Sequence, residues 1–246
     1  MAEEETSTPK YIVKKKVAEK ELSSLNKGHR QRLKDRFLKH PKSFEDSYEL
    51  LELLLTYSIP QKDVKPLAKR LLASFGTIDG VLFAPNDLLL EFKDVKENTL
   101  VLFKLFRSIY LKILQEKAMR KSHGGDWRSV LDYCSGLARK EVKEHFYLIL
   151  LNSLNDVLEI IEMERGSVNE VNICIREILE VLIKSHSVSF ALFHNHPSGN
   201  TQPSARDIAT TRDIKQMADQ INVQLYDHFI FGPNGEKSSF RQLGYL

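Results

Sequence analysis

The spacing of apolar positions along the chain predicts two regions of different architecture. From residue 27 to about residue 121 the apolar residues recur at helical intervals, as in the leucine-rich segment from Ser47 to Tyr57. After Trp127 the pattern changes to short apolar runs bounded by turn residues, which is typical of buried strands. The pattern therefore predicts an all-helical domain over residues 27–121 and a mixed α/β domain over residues 122–246.

Turn and cap residues place the individual elements. Gly76, for example, ends a helix that Asp63 opens as a cap. The helices expected in the first region are His29–Leu38, Ser47–Tyr57, Asp63–Phe75, Thr77–Phe83, Pro85–Phe92 and Glu97–Lys121, the last with an apolar face that includes Phe103, Leu105, Phe106, Tyr110 and Ile113. In the second region we expect helices Trp127–Ala138, Arg176–Ser185 and Ser204–Ile221, and strands Phe146–Leu151, Val157–Met163, Val171–Ile175, Val188–Phe193 and Val223–Phe231.

The stretch after Phe193 carries the residue types of a metal site. His194 and His196 are two positions apart, so in an extended chain their side chains share one face. The segment that follows looks like a helix start, with Ser204 as the N-cap and Asp207 at the third helical position. Two imidazoles and one carboxylate leave a fourth position of a tetrahedral ion free, which is the arrangement of a catalytic zinc site.

Each of these residues also has an ordinary structural explanation. A histidine at a strand end commonly makes hydrogen bonds, and an aspartate in a first helical turn commonly serves the cap and the helix dipole. The whole pattern His-x-His-x7-Ser-x2-Asp, however, is expected by chance only about once in several thousand chains of this length. The sequence therefore predicts one Zn²⁺ per chain, bound by His194, His196 and Asp207.

The same pattern resembles that of the JAMM (MPN+) zinc metallopeptidases. Its fuller form, His-Asn-His-Pro-Ser-Gly followed by Pro-Ser-x2-Asp, is similar to the bacterial RadC family within that group. The resemblance is close over the last half of the chain and looser from Gly28 to about Phe106. It implies a helix-hairpin-helix-like N-terminal domain, followed by a JAB/MPN-like mixed sheet with flanking helices and the layering of cytidine deaminases.

Hydrolysis at such a site also needs a general base, and the candidates are Glu141, Glu144 and Glu177. Glu144 stands just before the first strand, where its carboxylate could lean over a neighbouring strand end. The JAMM resemblance places the catalytic glutamate in that relation to the first strand, so Glu144 is the predicted base. Glu177 lies at a helix start, where capping explains it.

Two further residues are expected to assist the site. As an N-cap, the Ser204 oxygen accepts a backbone N–H, which leaves its proton free to donate to an oxyanion. The resemblance implies that second duty. His228 is expected to be structural or to support a ligand.

The implied reaction is hydrolysis of an amide or isopeptide bond in a peptide or protein substrate.

Charge supports an alternative function. The net charge of +3 is small, but residues 10–36 hold ten Lys or Arg against three acidic residues. Residues 1–26 are interpreted as a flexible basic arm, and the next helix offers Arg30, Arg32, Lys34 and Arg36 as nucleic-acid candidates. The RadC resemblance carries a DNA-repair association. The alternative is thus a DNA-associated protein in which the MPN domain is accessory or a scaffold.

One departure from the RadC-like pattern weakens that alternative. Where such proteins carry the glycines of a DNA-binding hairpin, this chain has Asp94 and Lys96. An acidic side chain repels phosphate, and Cβ atoms block the close approach that glycine permits.

Cysteine use and hydropathy indicate the setting. The two cysteines, Cys134 and Cys174, form no CxxC pair, so neither a disulfide framework nor a cysteine zinc site is expected. No apolar run reaches membrane-spanning length, and the first five residues are acidic where a signal peptide would be basic. We expect a cytoplasmic protein without a membrane partner.

Overall fold

The computed structural model describes residues 28–120, 126–140, 143–165 and 174–246. These form two compact units, the first ending at Arg107 and the second beginning at Ser108. The sequence pattern divides the chain later, at residue 121, and those domain bounds stay a prediction. The expected arm over residues 1–26 and residues 171–173 of an expected strand lie outside the described residues. None of the described helices combines the length and apolar character that a membrane crossing requires.

The first unit is helical, as its apolar spacing predicts. Gly76 ends one helix with a positive φ of 79°, and Thr77 begins the next by accepting a hydrogen bond from the N–H of Gly80. Leu51, Leu71 and Phe103 lie in its core. Its helices are α1 over residues 28–39, α2 (Ser47–Ser58), α3 (Lys65–Phe75), α4 (Ile78–Phe83), α5 (Asn86–Leu90) and the first half of α6 (Glu97–Ala118).

The apolar residues of α6 do not share one buried face, contrary to the sequence prediction. Phe103 is buried in the first unit and Ala118 in the second. Between them, four of the residues assigned to the apolar face are 44–53% exposed: Leu105, Phe106, Tyr110 and Ile113. A helix of 22 residues is about 33 Å long, which exceeds the width of a single small core.

The second unit contains a mixed sheet with helices on both faces. Its five strands lie in the order β2-β1-β3-β4-β5; β3 and β4 are parallel, and the other neighbours are antiparallel. The predicted fold class, a helical region followed by a mixed sheet with flanking helices, is confirmed. The elements are α7 (Trp127–Lys140), β1 (His145–Leu151), β2 (Val157–Arg165), α8 (Ile175–Ser185), β3 (Ser189–Asn195), α9 (Ala205–Asp219), β4 (Gln224–Phe231) and β5 (Lys237–Ser239).

The alternation of side chains along β3 assigns its residues to two cores. Phe190 and Leu192 pack with residues of α8 and α9 on one face, whereas Ala191 and Phe193 pack with residues of α7 on the other. By this alternation His194 continues the α9 face and Asn195 continues the α7 face.

Two details differ from the sequence prediction: Ile175 begins helix α8 rather than ending a strand, and β5 was not expected.

Candidate metal centre

Three side chains from β3, the loop after it and α9 converge on one point. His194 lies at the end of β3, His196 follows it, and Asp207 lies in the first turn of α9. The Nε2 atoms of the two histidines are 2.9 Å apart. Asp207 Oδ1 lies 3.4 Å from His194 Nε2, and Oδ2 lies 3.6 Å from His196 Nε2.

These separations fit a tetrahedral ion. Ligand atoms about 2.0–2.1 Å from one zinc ion lie roughly 3.3 Å from one another. The three measured distances, from 2.9 to 3.6 Å, bracket that value. Among the described residues, this is the group of His, Cys, Asp and Glu side chains whose ligand atoms are close enough to hold an ion.

A backbone carbonyl orients His196. The Nδ1 atom of its ring lies 2.7 Å from the carbonyl oxygen of Asn200. Because a carbonyl can only accept, Nδ1 carries the hydrogen and donates it. The lone pair available to a metal is therefore on Nε2, which faces His194 and Asp207.

His194 is oriented by a chain of hydrogen bonds through His228. Thr211 Oγ1 lies 2.6 Å from the carbonyl oxygen of Asp207 and 2.6 Å from His228 Nδ1. The hydroxyl donates to the carbonyl, so it accepts from His228 Nδ1. His228 Nε2 then accepts from His194 Nδ1, 2.8 Å away. This leaves the Nε2 lone pair of His194 for an ion, and it makes His228 a supporting residue, as expected from the sequence.

The shifted pKa values keep His194 neutral and Asp207 ionised, and these are the forms in which each can bind a metal. Burial lowers the pKa of His194 to about 4, which keeps this imidazole neutral near pH 7. Burial would raise the pKa of Asp207, but the adjacent His196 and His194 lower it, so Asp207 is ionised. For His196, burial acts to lower the pKa, and the adjacent Asp207 carboxylate and Asn200 carbonyl raise it on balance.

Ser204 is the N-cap of α9, as its sequence position predicts, but its proton is already used. Its oxygen accepts the N–H of Asp207 at 3.1 Å, and its hydroxyl donates to Asp207 Oδ2 at 2.7 Å. The N–H of Ser204 donates to the same carboxylate oxygen at 2.7 Å, which completes a capping box. In this structure the Ser204 hydroxyl donates to Asp207 and orients that carboxylate, and the expected role of Ser204 as an oxyanion donor stays a prediction.

The pairing of β1 with β3 brings Glu144 to the same site. Phe146 lies opposite His194 in the antiparallel register. Glu144 stands two residues before Phe146, and His196 stands two residues after His194. Glu144 lines the same cavity as the two histidines. Glu177 is exposed in the first turn of α8, and Glu141 lies outside the described residues.

Glu144 and the three converging side chains line one open cavity of about 390 Å³. Ser204 and Phe146 also line it. The remaining lining residues are Ser198, Asn200, Gln202, Pro203, Arg206, Thr210 and His228.

Three of the four nucleic-acid candidates of α1 contact other residues of the first unit. The Arg30 guanidinium donates to the carbonyl oxygens of Ile59 and Lys62. Arg36 pairs with Glu49 at 2.6 Å and lies over the ring of Phe44. Lys34 lies 4.5 Å from the centre of the Tyr57 ring, and Arg32 is exposed.

Asp94, in the expected hairpin turn, is also paired. Its carboxylate lies 2.6 Å from Lys62 Nζ and 3.9 Å from an Arg70 nitrogen. The Asp94 carboxylate thus pairs with two cations of the first unit. It lies in the segment that was expected to form the hairpin turn.

Two contributors to the site were missed from the sequence. Thr211 lies four residues after Asp207, one helical turn along the same face, and that spacing could have indicated it. Asn200 contributes a backbone carbonyl, for which its side-chain type gives no signal.

Comparison with known proteins identifies the family of this chain. The family described as the RadC-like JAB domain matches residues 125–245. UPF0758 protein SPO0054 of Ruegeria pomeroyi is 35% identical over 225 residues, which cover 92% of this chain and 100% of that relative. Residues 125–245 thus form a RadC-like JAB domain, and the chain belongs to the RadC-like family.

Proposed function

We propose that this protein is a zinc-dependent hydrolase of peptide or isopeptide bonds, with one Zn²⁺ per chain bound by His194, His196 and Asp207. The observation that carries the proposal is the convergence of two imidazole nitrogens and a carboxylate within 2.9–3.6 Å of one another in an open cavity. Membership of a JAB-domain family supports it. Bound zinc would lower the pKa of a coordinated water to near neutrality and polarise a substrate carbonyl.

Glu144 is the proposed general base. It lines the cavity with the three ligand side chains, and from there its carboxylate would accept a proton from the attacking water. The same carboxyl group would then return this proton to the leaving amine. A fixed position beside the histidines suits both transfers.

Ser204 is the proposed donor to the carbonyl oxygen of the substrate. Its hydroxyl would have to turn from Asp207 Oδ2 towards that oxygen as negative charge develops. The N-cap position permits this turn, because the Ser204 oxygen can still accept the N–H of Asp207.

Ser204→Gly is expected to lower kcat by about 10²–10³-fold, as the loss of one oxyanion donor does. Glycine is itself an acceptable N-cap and costs only a few tenths of a kcal/mol there, so the melting temperature should change little. Ser204→Thr, which restores a hydroxyl, should recover most of the activity. A kcat within about threefold of wild type in Ser204→Gly, with zinc retained, would limit Ser204 to capping and orienting Asp207.

Metal removal tests the proposed function as a whole. We expect the purified protein to contain about one zinc per chain and to cleave members of a library of internally quenched peptides, or of lysine ε-amide-linked conjugates. Treatment with ortho-phenanthroline should abolish both the zinc content and the cleavage, and added zinc should restore them. The meta isomer, which does not chelate, is the control. Cleavage that survives complete zinc removal would contradict the proposal.

The DNA-associated alternative draws less support from the described residues. Arg30 and Arg36 make contacts within the first unit, and Asp94 occupies the place of a hairpin glycine. We therefore propose a peptide or protein as the partner. A reducing, cytoplasmic setting suits the two free cysteines, one buried and one exposed.

A further inference from the structure

A buried amide lies between the two histidines in sequence and on the opposite face of the sheet. Asn195 is 1% exposed, and the alternation along β3 turns its side chain away from His194 and His196. It therefore cannot bind the same ion or reach a substrate in the cavity. A polar side chain buried this deeply needs hydrogen-bond partners, and its partners identify its role.

The Asn195 side chain binds the backbone on both sides of Glu144. Its Oδ1 accepts a hydrogen bond from the N–H of His145 at 2.8 Å. Its Nδ2 donates to the carbonyl oxygen of Lys143 at 2.9 Å. The two bonds thus hold the backbone of Lys143, the residue before Glu144, and of His145, the residue after it.

These bonds continue the β1–β3 pairing beyond its last backbone pair. That pairing ends at Phe146 and His194, whereas the pairing of β3 with β4 on the other side continues one residue further. Asn195 lies opposite Phe231, and the N–H of His196 donates to the carbonyl oxygen of Phe231 at 2.8 Å. The side chain of Asn195 thus attaches residues 143–145 to the strand that carries the metal-binding histidines.

We propose that Asn195 is a positioning residue that fixes Glu144 relative to His194 and His196. This inference rests on the proposed function, because it assigns a consequence to the position of the proposed base. The two Asn195 bonds join the backbone on both sides of Glu144 to the strand that carries His194. A displacement of a catalytic group by about 1 Å can lower a rate about 10²-fold.

The two bonds need an acceptor and a donor on one side chain, and the amide of Asn195 provides both. Asn195→Asp has nearly the same shape and keeps the acceptor, but it places a carboxylate oxygen against a carbonyl oxygen. Asn195→Ala removes both bonds and leaves two buried backbone groups without them.

Amide hydrogen exchange tests the contact without any substrate. In Asn195→Ala, the His145 N–H of the zinc-loaded protein should exchange about tenfold faster or more, because it loses its acceptor. In Asn195→Asp that protection should be kept. The zinc content should stay at about one per chain in both variants. An unchanged His145 exchange rate in Asn195→Ala, or loss of zinc together with folding in both variants, would overturn the inference.

Kinetics on a peptide that the wild type cleaves tests the consequence. In Asn195→Asp and in Asn195→Ala, kcat should fall about 10–100-fold while KM stays within about threefold, since the base is displaced and the cavity is not. A purely structural role would lower the melting temperature without this selective loss of kcat. Unchanged kcat in both variants would therefore contradict the positioning role.

Asn152 provides a matched control. Its Oδ1 accepts the N–H groups of Leu154 and Asp156 in the turn at the other end of β1. Asn152→Ala should lower stability but leave kcat and the His145 exchange rate unchanged. If the wild type and this control cleave no peptide and carry no zinc, the proposed function fails, whereas a wild type that is active beside fully active Asn195 variants fails the positioning inference alone.

Discussion

His196→Ala is expected to lower the zinc content of the purified protein from about one ion per chain to near zero. The variant keeps one imidazole and one carboxylate, and two ligands do not hold zinc against water and buffer. His196 follows the end of β3 and is less buried than His194, with 13% of its side chain exposed against 4%. The substitution should therefore leave the sheet intact. Elemental analysis beside circular dichroism measures both quantities.

Two other histidines calibrate this result. His186→Asn, at the left-handed C-cap of α8 where φ is 55°, should keep full zinc content, because asparagine tolerates that conformation. His228→Ala should weaken zinc binding about 10–100-fold without abolishing it, since His228 only orients His194. Stoichiometric zinc in His196→Ala would refute the ligand set, and equal losses in His186→Asn would indicate unfolding instead.

The local parts of the site could be predicted from sequence because they depend on neighbouring residues. The period of a strand places His194 and His196 on one face, and the preference of serine for N-caps places Ser204 before α9. The fate of the Ser204 proton could not be predicted in this way. That proton is donated to the Asp207 carboxylate, because the capping box places the carboxylate beside the Ser204 hydroxyl.

The non-local parts needed the register of the sheet. That Glu144 lines one cavity with the histidines depends on the pairing of Phe146 with His194, which no periodicity along the chain contains. The role of Asn195 could not be predicted either, because the sequence does not show which backbone groups its side chain contacts. Its two bonds to the backbone around Glu144 exist only because β1 lies beside β3.

The helical region shows the same limit. Apolar spacing predicted the helices from α2 to α6 with small errors at their ends, but it assigned one buried face to all of α6. Burial depends on what lies beside each turn of a helix, and Phe106 and Ile113 are exposed although their spacing is that of core residues.

Glu144→Gln is expected to keep about one zinc per chain and to lose most of its turnover, by about 10²–10⁴-fold in kcat, which is the usual contribution of a general base. Glutamine has nearly the same size but cannot accept and return a proton at neutral pH. The two hydrogen bonds from Asn195 reach only the backbone on either side of this residue, so the amide should occupy the place of the carboxylate. Zinc analysis and steady-state kinetics on one cleaved peptide measure the two effects.

The matched control for this prediction is Glu177→Gln, which alters a glutamate that is exposed in the first turn of α8. It should keep both zinc and turnover. Full activity in Glu144→Gln would remove Glu144 from the role of base, and loss of zinc in that variant would make it a ligand or a structural residue instead. A protein that binds zinc, loses activity only in Glu144→Gln and keeps it in Glu177→Gln has its proton transfer at the end of β1, because the register of β1 and β3 brings that glutamate to the histidines.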